Sequence, residues 1–284
     1  MPAHLLRNHQ RNSGTKQPGA GLLERLSITP RPERHPLASG DVVAEHFGGV
    51  PLRADGRTIL LPGGPRIYVL HGDAPGSRLV IRRRIFAPLP AIGFIGPTTS
   101  VARLDHGGVL LSGVRLRSTA WGMLFDGDVS RYTDRVVPLA AIDRSSPTAV
   151  RGPRGDEAAT FAPWLDARLE AGNGRDLQAQ RIIELIDASP RSTVAEIAAS
   201  LRLTPQRMSA TCLENFGLPP KRLLMLRRFV RVLRRLLADP TATGRALWEA
   251  GYVDHSHFAR DCRQFLGSSL QAFRELIEHR DDPA

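Results

Sequence analysis

The chain has 284 residues with two cysteines, 42% hydrophobic and 24% charged side chains, an ordinary globular composition long enough for about two domains with cores of their own. Two cysteines exclude a disulfide framework and a Cys₄ zinc site; no apolar run reaches the roughly 18 residues of a membrane span, and a polar N-terminus without a signal-peptide core predicts a cytoplasmic protein with no membrane partner. Thirty-nine Lys and Arg against 28 Asp and Glu give +11, which favours an anionic partner such as nucleic acid, yet the excess is +8 over residues 1–175 and only +3 over 176–284, so local placement must decide.

Residues 1–40 hold five prolines and no sustained apolar period, and read as a flexible arm. From 41 to 148 short apolar runs end in turn residues: TILLPGG, RIYVLHGDAPG, RLVIRRRIFAP, AIGFIGP and VLLSGVRLR. Such strands predict an all-β, jelly-roll-like sandwich or barrel. Arg82, Arg83 and Arg84 could hold an anion, but a solvated strand or a domain interface is the better reading. His46, His71 and His106 are scattered, and no catalytic or phosphate-binding motif is present. No catalytic residue, metal site or cofactor is therefore assigned, and an enzyme is not expected. The alternative is a metal-dependent cupin-type enzyme carrying a vestigial helical domain.

Residues 149–175 read as a linker with a short helix, and 176–284 as all-helical. Leu177, Ile182, Ile183, Leu185 and Ile186 gather near one stripe. The helical part repeats weakly at an offset of 50: Thr204 matches Asp254, Met208 matches Phe258, Cys212 matches Cys262, and Gly217 matches Gly267. Each unit is a short helix, a tight turn and a capped second helix, which is a helix-turn-helix. Thr193 and Glu196 form a capping box, and Pro205 takes the first helical position after Thr204. The long helix between the units, within 221–240, spans ~30 Å, close to the ~34 Å turn of B-DNA. Residues 204–235 hold eight basic side chains against Glu214 alone.

The stretch GYVDHSHFARDCRQFLGSSLQAFR, 251–274, follows the pattern G-[FY]-x-D-x-S-H-F-x-R-x-F with a later glycine and an aromatic-Arg. With AEIAASLRLTPQRM and ENFGLPPKRLL in the first unit, residues 176–276 resemble the DNA-binding domain of AraC/XylS-type transcriptional regulators. The N-terminal half is similar to the β-barrel sensory domain of one subgroup, sharing LLPGG, GFIGPTTS, GVRLR and TDRVVPL. Ala210 stands where the family carries Arg, Cys212 and Cys262 where it carries Phe, Leu270 where it carries Pro, and Ala246-Leu247 where it carries Ile-Ala.

The resemblance implies a bacterial sequence-specific regulator, activator or repressor, with recognition helices at about 205–216 and 255–265 in successive major grooves of double-stranded DNA. It also implies RNA polymerase as a partner, a small-molecule effector at the N-terminal domain, and a homodimer. Helical facing puts Gln206, Arg207, Ser209, His255, Ser256 and Arg260 at base edges, Arg260 foremost for guanine. Thr204, Lys221, Arg222 and His257 are placed at phosphates. His255 and His257 point ~200° apart on a helix and cannot share an ion. Cys212 and Cys262 read as small core hydrophobes, and Trp164 and Trp248 as packing residues.

Overall fold

The strand-length runs of the N-terminal half pair into two antiparallel sheets. The computed structural model describes residues 44–50, 57–72, 75–105, 109–149, 157–172 and 176–278; the arm read over 1–40 lies outside them. Nine strands are present among them: β1 Ala44–Val50, β2 Arg57–Leu60, β3 Arg66–His71, β4 Arg78–Ile81, β5 Arg84–Phe86, β6 Ile92–Ile95, β7 Ala102–Asp105, β8 Leu110–Leu116 and β9 Val136–Pro138. Their order is β1-β8-β3-β6-β9 in one sheet and β2-β7-β4-β5 in the other. RIYVLH is apolar almost throughout because β3 is central and covered on both faces. Tyr68 and Leu70 face the second sheet with Leu79, Ile81, Leu104 and Leu111, while Ile67 and Val69 face helices on the other side. A Cβ on Gly93 would come 2.3 Å from the Tyr68 ring, so the GFIG stretch needs glycine for that ring to lie across β6.

The helices that cover this outer face are α1, Trp121–Leu124, and α2, Glu157–Ala171. Phe161, Trp164 and Leu165 of α2 join Trp121, Phe94 and Val114 in one buried cluster. The Trp164 indole donates to Asp143 at 3.0 Å and Arg168 to the Leu124 carbonyl at 2.8 Å. The helix within 149–175, read as part of a linker, is thus built into the β unit. Its apolar residues are the lid of that core.

The helical half contains α3 Leu177–Ala188, α4 Val194–Ser200, α5 Pro205–Phe216, α6 Pro220–Ala238, α7 Thr243–Glu249, α8 His255–Phe265 and α9 Leu270–Glu278. Local chemistry sets the starts. Asp176 accepts from the Gln178 and Ala179 amides, both arms of the Thr193–Glu196 capping box form, Thr204 accepts from Arg207, and Asp254 accepts from His257. Gly217, at φ +72°, closes α5. The pairs α4–α5 and α7–α8 are the two helix-turn-helix units, and α6 is the rod between them, 19 residues or roughly 28 Å long. One core runs through both, with Phe229 of α6 against Phe258 and Phe265 of α8. Cys212 and Cys262 are buried in matching slots, and burial pushes both thiols up to about 12. Trp248, expected to pack, is 66% exposed.

The two halves dock. Ile59 of β2, with Leu61 just after it and Val101 just before β7, enters the helical core. The Val101 amide donates to the Phe265 carbonyl at 2.9 Å, and the Thr133 hydroxyl donates to the Gly217 carbonyl at 2.7 Å.

Candidate nucleic-acid interface

On α5, Met208, Thr211 and Cys212 point inward and Gln206 and Arg207 are exposed, with Ser209 and Ala210 half-buried at the margin. On α8, Phe258, Asp261 and Cys262 are buried while His255, Ser256 and Arg260 are exposed. The same three-and-four spacing therefore presents one polar stripe on each helix. Arg263 lies on the exposed stripe one turn beyond Arg260. It was missed in the sequence, although the i, i+3 step from Arg260 marks it.

The side chains expected at phosphates divide. Thr204 caps α5 from an exposed position and Lys221 is exposed at the start of α6. Arg222 is half-buried, its guanidinium 5.1 Å from the Phe265 ring centre. Burial, then the neighbouring Arg82, lowers its pKa. His257 is half-buried: its Nε2 lies 3.2 Å from Arg228 Nη2 and must accept, because a guanidinium can only donate. Around it the Tyr252 hydroxyl donates to Asp261 at 2.7 Å, and Arg228 lies 4.5 Å over the Tyr252 ring. Arg222 of α6 thus packs on Phe265 of α8, and His257 of α8 on Arg228 of α6. Arg207 stays exposed but donates through Nε to Gln178 at 2.8 Å.

The basic run of α6 is also spoken for. Arg227 and Arg231 both bind Asp187 at the end of α3, and Arg235 binds Glu249 at the end of α7. These carboxylates lie 40, 44 and 14 residues away in the chain, so the sequence showed the charges without their partners. Arg82, of the Arg82–Arg84 run, is 3.6 Å from Asp134 and close to Arg222 at the junction of the two halves.

In the β half, His71 Nε2 is 2.6 Å from the Ser112 hydroxyl; His106 lies outside the described residues. Among those residues no three His, Cys, Asp or Glu side chains gather as a metal site. Between the halves a cleft of about 860 Å³ opens among Ile183, Leu223, Val230, Arg115, Arg231 and Arg234. A second cavity, inside the sandwich between Tyr68 and Leu104, measures about 10 Å³.

Comparison with known proteins matches residues 178–276 to the helix-turn-helix domain family. Among solved structures, ToxT from Vibrio cholerae is similar over 77% of this chain and 92% of its own, at 9% identity and a TM-score of 0.47. An apo variant of ToxT is similar over 82% and 97%, at 10% identity and 0.47, and ToxT bound to an unsaturated fatty acid over 77% and 89%, at 11% and 0.46. No curated protein sequence matches the chain. Residues 178–276, with their two capped and outward-facing second helices on a common rod, carry a helix-turn-helix domain of the AraC type.

Proposed function

We propose that the protein is a sequence-specific transcription regulator that sets α5 and α8 into successive major grooves of one duplex. The observation that carries this is the matched pair: two capped helices with equivalent polar stripes, held by a rod of roughly 28 Å against a duplex turn of ~34 Å. Gln206, Ser209, His255, Ser256 and Arg260 read base edges, with Arg207 at the rim. Thr204 and Lys221 meet phosphates, while Arg222 and His257 hold α8 in place. The resemblance extends the reading to RNA polymerase as a partner, pairing of two copies, and action in the cytoplasm. No helix among the described residues is long and apolar enough to cross a membrane.

A small-molecule effector fits the cleft between the halves, which is of ligand size. The space inside the sandwich holds about one water at most. The cleft's apolar and arginine walls suit an anionic, partly apolar molecule, and its position lets an occupant bear on α3 and α6 together. The cupin-type alternative finds no comparable chamber, since the sandwich interior is filled by Tyr68, Leu79, Leu104 and Leu111.

Selection of duplexes from a random pool, followed by footprinting, tests the proposal. Protection of two major-groove segments about 10 base pairs apart is expected. Protection of one segment, or binding without sequence preference, overturns it.

A further inference from the structure

A rod holds two units at a fixed distance but does not by itself fix how each is rotated about it. The structure supplies contacts off the axis. Arg227, Arg231 and Arg235 recur every four residues along one face of α6. The first two hold Asp187 of the first unit's flank, and the third holds Glu249 of the second unit. A further contact bypasses the rod. Arg191, in the loop between α3 and α4, donates through Nη2 to the Trp248 carbonyl at 2.7 Å, and its guanidinium lies 4.4 Å over the Trp248 ring. Its stem crosses Gly251, the first residue of the turn before α8, where a Cβ would come 2.9 Å from Arg191 Cγ. The carbonyl is at the C-terminal end of α7, where a cation is favoured.

This arrangement accounts for Trp248, a large aromatic left 66% exposed. Its ring is a platform for a cation from the loop that leads into the first unit. Resting on the two-groove reading above, we infer that Arg191 and Trp248 are positioning residues that lock one recognition unit against the other, and thereby make the protein selective for the spacing between the two halves of its binding site. One inserted base pair shifts the second half by ~3.4 Å and about 35°, a change that a braced pair of units cannot follow and a loosened pair can.

The test uses the full chain and a duplex selected by the wild-type protein, together with derivatives carrying one base pair inserted or deleted between the halves. The wild type is expected to lose about tenfold in affinity on each derivative, comparable to a base mismatch. Trp248→Ala and Arg191→Ala should bind the parent duplex within about threefold of wild type and lose no more than about threefold on the derivatives. Trp248→Phe, which keeps a ring under the guanidinium, should restore the wild-type penalty. Alanine variants that keep the full tenfold penalty overturn the brace. A wild-type protein indifferent to spacing, or protecting one half only, instead overturns the two-groove reading. Arg191→Ala removes a loop side chain, so a loss of fold in Trp248→Ala would leave the inference testable.

Discussion

At the scale of the residue, the site divides by what each side chain already touches. Arg260 is exposed on the polar stripe of α8, and a bidentate contact to guanine is worth about 1–3 kcal/mol of discrimination. Arg260→Ala should lose that much in specific binding, measured by anisotropy titration against selected and scrambled duplexes; a uniform loss on both would make it a phosphate contact instead. Arg66 is the opposite case. It is 1% exposed, and only its Nη2 has a partner, the Leu61 carbonyl at 2.6 Å, while Nε and Nη1 have none. Burial, then Arg115 directly across on β8 and Arg234 on α6, bring its pKa down to about 9. A buried charge so poorly paired is destabilising, and an apolar replacement of similar length gains about 1–4 kcal/mol. Arg66→Met should therefore raise the unfolding free energy in urea titration. A decrease would show that the bond to the Leu61 carbonyl and the packing of the side chain outweigh the cost of burying its charge.

At the scale of the element, features set within a few residues were legible in the sequence. The bounds of α5 and α8, 205–216 and 255–265, follow from Thr204, Pro205 and Asp254, whose capping bonds are local. What depends on distant partners was not legible. The basic side chains of 204–235 stood against Glu214 alone because their partners Asp187 and Glu249 come from other helices. Trp248 looked like core because its partner is a loop arginine 57 residues away. Helix α2 looked like linker because Phe161, Trp164 and Leu165 find their counterparts only once the five-stranded sheet has formed. That helix carries its own prediction. Asp143 accepts from the Trp164 indole at 3.0 Å and lies 3.5 Å from Arg168. Burial works against its ionised form, but hydrogen bonds from Ser145 and Trp164 and the charge of Arg168 outweigh it, so its pKa lies below the ordinary 3.8. A depressed carboxylate stabilises the fold fully above its unfolded value, and that stabilisation is lost as pH falls through the folded value. Asp143→Asn should be less stable than wild type at neutral pH, and the gap should close below about pH 4. A gap independent of pH in thermal melts would assign it to packing alone.

At the scale of the whole molecule, the fifty-residue repeat provides an internal control on how the β unit engages the DNA-binding half. Gly217 and Gly267 are equivalent positions that end α5 and follow α8, at φ +72° and +77°. Any side chain at either position meets the same left-handed penalty, about 1–2 kcal/mol. Their surroundings differ. A Cβ at Gly267 meets nothing within 4 Å, whereas one at Gly217 would come 2.6 Å from the Thr133 hydroxyl and 2.8 Å from Pro97 Cγ, both in the β unit. Gly267→Ala therefore measures the backbone cost alone, and Gly217→Ala measures that cost plus the loss of docking, a further 1–3 kcal/mol or so for an overpacked contact. The same docking places the Thr133 hydroxyl on the Gly217 carbonyl and the Val101 amide on the Phe265 carbonyl, one bond at the end of each recognition helix. If the β unit governs the DNA-binding units through these ends, Gly217→Ala should alter DNA affinity as well as stability, while Gly267→Ala lowers stability with affinity unchanged. Paired urea titrations and binding isotherms decide it: equal destabilisation in the two variants would show that the halves do not press on one another at Gly217.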